Sequence, residues 1–470
     1  MTIRHAIVIS AAACAAPAPV AAGFPQAPVV PAVPPSPAPA QTAPRPMIRC
    51  SAPAQASPEV AFPFVTETFA LNAPVPTVAP TWGYRTAVSG GVIVAAGAER
   101  AVAPGPIGQI CVWRRGADGW SADPNLAQLD RAPTGAFALA ELQRAGRFVL
   151  TAMNRRAEGT SIRVLDPSSG RATEVASLTL PAGSDLVTFG SAFAGDDDVV
   201  AVGSADMRFD LKEESERRSR DPRVFLWSRH GTAWSLDGFV RAPSAGMGVP
   251  TDAMWFGASL AVSGDVLAVG SPATLMPRPS EVLPRSGTAM VHVFRRDGGR
   301  WMPEAAIPGL AVTPALCFGL KVALAGDVLA VRSVDPERAE VPASVWVYRR
   351  TGGTWGRAQE LVPGRGIARG RGYGLGLAVS AGRVIVGDGT ARGADETGEV
   401  GPGMVLVFEE RDGRWENTHR LMPRAECASR SFGNDVSSEW PLVAVGHPKN
   451  ELLGLEPGGV YVFDLSAAAR

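Results

Sequence analysis

Short runs of apolar residues recur along this chain in one fixed order. In "FGASLAVSGDVLAVGSP", Phe256 to Pro272, two β-type runs flank Ser263-Gly264-Asp265, a tight hairpin signal. After a polar stretch, "GTAMVHVFRR", Gly287 to Arg296, alternates apolar and polar positions with period two. "DGGRW", Asp297 to Trp301, then turns the chain into a fourth run. The pattern predicts strand, turn, strand, loop, strand, turn, strand: a four-stranded antiparallel meander.

The phrase returns as "FGSAFAGDDDVVAVGS" from Phe189, "FGLKVALAGDVLAVRS" from Phe318 and "YGLGLAVSAGRVIVGD" from Tyr373. Further openings stand at Trp82-Gly83, at a worn copy near Phe137 that runs to Gly170, and at Phe432-Gly433. The second hairpin recurs with the first, as in "ICVWRRGADGW", "VFLWSRHGTAW", "VWVYRRTGGTW" and "VLVFEERDGRW". Trp120, Trp234, Trp301, Trp355 and Trp415 thereby share one repeat position, which predicts packing against a neighbouring sheet. The worn second copy lacks this Trp.

A four-stranded sheet cannot bury its own faces, but seven arranged radially bury them against one another. The expected fold is therefore all-β, a seven-bladed β-propeller of four-stranded antiparallel blades. The last copy ends after "GGVYVFDL", Gly458 to Leu465, without an outer strand. "FVTETFALNAP", Phe64 to Pro74, resembles that missing strand with Phe64 in the Trp place. An N-terminal strand closing the last blade is expected, with the propeller covering residues 58–470. The glycine after each opening aromatic predicts close backbone packing.

These units resemble FG-GAP repeats, the family of integrin α-subunit propellers and of many secreted bacterial proteins. Phe256-Gly257 matches the FG element and "VGSP", Val269 to Pro272, the GAP element. The resemblance spans about Trp82 to Leu465. It implies a binding or adhesion role, and in integrins it brings calcium loops rich in Asp between the first two strands. The corresponding turns here are "SGG", "SGD", "AGD" and "SAGR". Each has at most one carboxylate, too few oxygen ligands for a hard cation. Only "GDDD", Gly195 to Asp198, has three, and consecutive acids rarely converge on one ion. Calcium is therefore not supported, and no metal or other cofactor is expected.

Charge and composition narrow the function. The 470 residues carry no net charge, which argues against a protein that works by neutralising nucleic-acid phosphates. Arg4 and His5 precede the apolar stretch "AIVISAAACAA", and "PVAAG" then offers a small-residue cleavage site. Residues 1–22 thus read as an export signal, placing the protein in the periplasm, on the cell surface or outside the cell. Cys14 lacks the large aliphatic residue that lipid modification wants three places before it. Residues 23–57 contain "APVVPAVPPSPAPAQTAPRP", a disordered, extended spacer because proline lacks a backbone donor. No later apolar run is long enough for a transmembrane helix.

Chemistry-bearing residues are sparse. His5, His230, His292, His419 and His447 show no metal spacing, and no G-x-S-x-G occurs. His292, mid-strand, and His230, in a turn, read as structural or solvent-facing. "RGIARGRGYGLG", Arg365 to Gly376, looks like a phosphate-binding loop but reads as a flexible loop leading into a unit. Cys50 and Cys427 both flank the last unit and form the candidate disulfide.

The meander puts its short turns at one end and its long second-to-third-strand loops at the other. Function concentrates on long loops carried by a rigid frame. Asp206 to Pro222, "DMRFDLKEESERRSRDP", is the best candidate binding loop, with Asp206, Arg208, Phe209, Asp210, Lys212, Glu213 and Arg217 as its polar and aromatic contacts. The expected function is a non-enzymatic, monomeric module that holds a protein or glycan. The competing expectation is a propeller glycosidase or lyase, with no assigned catalytic residues, whose paired carboxylates converge on the axis.

Overall fold

The structure is a computed structural model. It describes residues 64–71, 83–98, 108–117, 119–122, 127–129, 142–155, 159–169, 172–181, 189–205, 222–243, 255–273, 288–309, 317–335, 338, 341–356, 359–364, 367–389, 403–423, 431–447 and 458–466. The elements among them are β-strands.

The unit that opens at Phe256 shows why. Its strands are Ser259–Ser263, Val266–Ser271, Met290–Asp297 and Arg300–Pro308, each antiparallel to the next. Ser263 pairs with Val266 across a two-residue turn, where Gly264 takes φ +59°, a conformation that costs glycine nothing. All six residues of Val266–Ser271 are buried, because both faces of the sheet are covered, and such strands read as apolar runs rather than alternations.

The described strands form six hydrogen-bonded sheets. Taken along the chain, the units begin with first strands Arg85–Ser89, Leu142–Ala145, Phe193–Gly195, Ser259–Ser263, Lys321–Ala325, Tyr373–Ser380 and Asp435–Glu439; they are called units 1 to 7 below. Units 2 and 3 share one eight-stranded sheet through a single parallel bridge, Gly195 to Ala145. The worn unit 2 has four strands, Leu142–Ala145, Phe148–Arg155, Gly159–Asp166 and Thr173–Leu178. Its last strand therefore lies beyond the Gly170 limit expected from the pattern.

Unit 7 consists of Asp435–Glu439, Leu442–His447 and Gly459–Asp464, with Phe69–Leu71 antiparallel to the third strand, Phe69 opposite Val462. Phe64 does not stand in the Trp place. Phe64–Thr66 pairs in parallel with Arg414–Met422 of unit 6. The changeover is anchored by Thr68, whose N–H donates to Val462 O at 2.8 Å and whose Oγ1 accepts from Asp464 N at 3.0 Å. The N-terminal segment thus touches two units, which period-two alternation alone does not reveal.

The core lies between units. One cluster joins Leu226 of unit 3 to Phe256, Leu267 and Phe294 of unit 4, with Trp301 packed on it. Another joins Val345 of unit 5 to Tyr373, Leu406 and Trp415 of unit 6. Trp120, Trp234 and Trp355 likewise pack in clusters shared with the preceding unit. Burying one such side chain contributes about 1.5–3 kcal/mol. Four-stranded antiparallel meanders packed face to face in this way make the fold a β-propeller.

Candidate binding surfaces and the central cavity

Glycines set the contact between units. Gly257 N–H donates to Gly270 O of its own unit at 3.1 Å, and a Cβ placed on Gly203 of the preceding unit would lie 2.4 Å from Gly257 O. Gly270 meets Gly319 O in the same way, and Gly387 meets Gly433 O, at 2.1 and 2.0 Å. The glycine after the opening aromatic of one unit therefore rests on the glycine ending the second strand of the unit before. In unit 5 that second position is Arg332, which is 2 % exposed.

The short-turn end is tied together by side chains. Ser89 Oγ donates to Gly146 O at 2.8 Å, and Asp197 Oδ1 accepts from Arg147 N at 2.8 Å. Asp196 Oδ2 accepts from Gly264 N at 2.7 Å, and Ser263 Oγ accepts from Gly326 N at 3.0 Å. Ser380 Oγ accepts from Trp440 N at 3.0 Å, and Glu439 Oε2 from Gly91 N at 3.3 Å. Each bond links the first hairpin of one unit to the next. The three acids of "GDDD" point to three partners, since Asp198 pairs with Arg229 at 2.5 Å.

Arginines near the end of the third strand form a second set of ties in units 1, 4 and 5. Arg115 pairs with Asp464 of unit 7 at 2.8 Å, Arg296 Nη2 donates to Ser228 Oγ of unit 3 at 2.9 Å, and Arg350 pairs with Glu304 of unit 4 at 2.7 Å. In unit 6 the charges are exchanged: Glu410 pairs with Arg349 of unit 5.

A cavity of about 420 Å³ is lined by residues from the first strands of all the units, among them Arg85, Arg144, Ser259, Lys321, Ala378 and Asp435. Its carboxylates are engaged by the fold. Asp435 Oδ2 accepts from Thr86 N at 2.7 Å and Thr86 Oγ1 at 3.0 Å, with Arg85 at 3.8 Å; Asp196 holds the turn at Gly264. Lys321 Nζ donates to Leu375 O at 2.6 Å. Among the described residues no group of three or more His, Cys, Asp and Glu is arranged to hold a metal ion.

The candidate binding loop, Asp206 to Arg217 with Phe209, lies outside the described residues, as do Cys50 and Cys427. The described chain on either side ends at Ala205 and resumes at Pro222. Phe239 is 44 % exposed, with the guanidinium carbons of Arg223 and Arg241 4.5 and 5.0 Å from its ring centroid. Cys111 and Cys317 are buried, and burial pushes the Cys317 thiol up to about 12.

His292 is 1 % exposed, with its ring 5.4 Å from that of Phe256 and neither ring nitrogen hydrogen-bonded. Burial lowers its pKa to about 4. It is a core residue kept neutral, and its place on the buried face of a third strand is the signal for this.

The described part of "RGIARGRGYGLG" is held by hydrogen bonds. Arg332 Nε donates to Tyr373 O at 2.9 Å and its Nη2 to Arg371 O at 2.7 Å. Gly370 N donates to Asp388 Oδ2 at 2.7 Å, and Arg371 Nη1 to Arg338 O at 3.0 Å. Sequence reading missed Arg332; its signal is the break in the "VGS" phrase, "VRS" in unit 5.

No family model matches the chain, and no curated protein matches it. Among solved structures it is similar to the β-propeller domain of the trilobed protease from Pyrococcus furiosus, at 8% identity and TM-score 0.44, covering 83% of this chain and 95% of that one. It is similar to an acylaminoacyl peptidase from Pyrococcus horikoshii at 10% identity and TM-score 0.45, covering 81% of this chain and 50% of that one, so it spans half of that peptidase. U3-55K is similar at 8% identity and TM-score 0.43, covering 85% of this chain and 99% of that one. The class assigned to this chain rests on the strand pairing described above.

Proposed function

We propose that this protein is an exported, non-enzymatic binding module that takes a protein or glycan at its long-loop end. In this reading seven FG-GAP-type blades close into one ring, and Phe69–Leu71 completes the seventh blade. Contact of Asp435–Glu439 with Arg85–Ser89, and a cavity lined by every first strand, support closure. The glycine-on-carbonyl contacts between units support the FG-GAP assignment.

One observation carries the choice of end. At the short-turn end, serines, acids and arginines that would otherwise meet a ligand are engaged in bonds between units, as with Asp196 to Gly264 and Arg350 to Glu304. That leaves the second-to-third-strand loops as the variable surface on a rigid frame. The carboxylates of the cavity are engaged as well, which favours binding over axial acid–base chemistry.

The test is affinity capture from cell-envelope extract with three forms of the protein. A partner held by the wild type and by Arg411→Ala at the short-turn end, but lost when residues 206–221 become a short Gly-Ser turn, supports the proposal. Loss from the short-turn change alone overturns it.

A further inference from the structure

In every unit one residue of the first strand pairs with the third residue of the second strand. It is Ala87, Ala194, Ala261, Ala323 and Ala378 in units 1, 3, 4, 5 and 6, and Ser437 in unit 7. In the worn unit 2 it is Gln143, opposite Leu150. All of these except Ala87 line the central cavity. Alanine satisfies the packing at this position in the other units, so the carboxamide of Gln143 is not needed to fill a core. Gln143 is half-buried, and its amide has no hydrogen-bond partner among the described residues. Ser437, by contrast, is spent, since its Oγ accepts from Val88 N at 2.9 Å.

The wall around that amide is polar but balanced. Its charged side chains are Arg85, Arg144 and Lys321 against Asp196 and Asp435, and Glu439 pairs with Arg144 at 3.4 Å. Three cations thus stand against three acids, each engaged by the fold. Glu141, two residues before Gln143, lies outside the described residues and adds no cation. The first strands Arg85–Ser89, Ser259–Ser263, Lys321–Ala325, Tyr373–Ser380 and Asp435–Glu439 each lie at the end of their sheet. Backbone donors and acceptors on their open edges therefore stand beside alanine methyls. At the short-turn end the Arg144–Glu439 pair spans unit 1, and units 2 and 3 close on each other through Gly195 and Ala145. The approach these ties leave to Gln143 is from the long-loop end.

We propose that the central cavity binds one neutral sugar residue of a glycan, with the Gln143 carboxamide as the group that reads it. A carboxamide donates and accepts at once, which matches two neighbouring hydroxyls, while the alanine methyls meet the C–H faces of the ring. The volume of about 420 Å³ falls within the range of small-ligand pockets. A neutral ligand leaves the Arg85–Asp435 and Arg144–Glu439 pairs intact, and no uncompensated cation is present to select an anion. The inference rests on non-enzymatic binding from the long-loop end, and it chooses the glycan from the two ligand classes proposed for that end.

The test is saturation-transfer NMR on the full chain with the methyl glycosides of glucose, mannose, galactose and N-acetylglucosamine, and with acetate and inorganic phosphate as charged comparators. Wild type should bind at least one glycoside, with an affinity that salt leaves unchanged. Gln143→Ala installs the residue that units 1, 3, 4, 5 and 6 already carry, so the melting curve should not move. Its affinity should fall about tenfold, the scale of the neutral hydrogen bonds removed. Gln143→Leu keeps the bulk without the amide and should bind as weakly. Absence of any glycoside signal, equal affinity of wild type and Gln143→Ala, or stronger binding of acetate or phosphate would each overturn the proposal. If no glycoside binds but partner capture still depends on residues 206–221, the cavity site is excluded and the broader reading stands. If a glycoside binds through Gln143 while capture is indifferent to residues 206–221, the cavity site stands and the choice of that loop falls.

Discussion

Glu304 grips Arg350 with both carboxylate oxygens across the junction of units 4 and 5, Oε1 2.7 Å from Nε and Oε2 2.9 Å from Nη2. The same Oε1 accepts from Trp355 Nε1 at 2.9 Å, so the recurrent Trp is fixed by an acid of the preceding unit. Burial alone would raise the Glu304 pKa; the hydrogen bonds from Arg350 and Trp355 and the charges of Arg350 and Arg295 outweigh it and hold it below the usual carboxylate value. Glu304→Gln leaves Arg350 without its paired carboxylate and should cost about 1–3 kcal/mol. A depressed carboxylate stabilises the fold above its unfolded pKa and loses that contribution as pH falls through the folded one. The difference between wild type and variant should therefore shrink in acid, as read by urea unfolding.

His292 gives an acid dependence of its own. Its folded pKa is lowered from 6.5 to about 4, so the unfolded chain binds the proton more tightly. Stability from this group is complete above the unfolded value and declines as pH falls from there through the folded one. The full loss is roughly 3 kcal/mol at about 1.4 kcal/mol per pKa unit. His292→Phe should remove that part of the slope; an unchanged slope between pH 6.5 and 4 would show that His292 is not its source.

Ala325 stands where units 4 and 6 place Ser263 and Ser380, whose hydroxyls reach the next turn. An alanine has no oxygen to offer to the turn of unit 6. Ala325→Ser should add the bond and raise stability by about 0.5–1 kcal/mol. Ser263→Ala should lower it by a similar amount, with both measured as shifts in denaturant midpoint.

Arg332→Gly restores the repeat residue but leaves the Arg371 and Tyr373 carbonyls without their donor. Destabilisation by about 1–3 kcal/mol is expected, together with faster trypsin cleavage after Arg369 and Arg371. A more stable variant with unchanged cleavage would mean that the guanidinium holds nothing.

Leu71, 6 % exposed, lies in the cluster with Val88 of unit 1 and Val460 of unit 7. Leu71→Ala should cost about 2–5 kcal/mol, and removal of residues 58–72 should lower the melting temperature far more. An unchanged melting curve after that removal would exclude closure by the N-terminal segment.

Much of the unit was legible because its signals are local. Ser263-Gly264-Asp265 marks a turn that only a glycine-tolerant backbone makes, and the run after it is apolar enough to be buried on both sides. The place of Phe64 was not legible, because parallel pairing with Arg414–Met422 and antiparallel pairing of Phe69–Leu71 with unit 7 join residues far apart in the chain. Three consecutive acids reveal their crowding but not their partners, and Asp196, Asp197 and Asp198 turn to three separate units.

By itself the sequence determined the repeat, the order of strands and turns, the all-β class and the glycines on which neighbouring sheets rest. These follow from backbone conformation and from the spacing of apolar side chains, both set within a few residues. Tertiary structure alone decided which unit each arginine, serine and acid bonds, that His292 is sealed from water, and that Arg332 braces the loop of the following unit. Those outcomes depend on distances between sheets, and one arginine looks like another until its neighbour's carbonyls are in place.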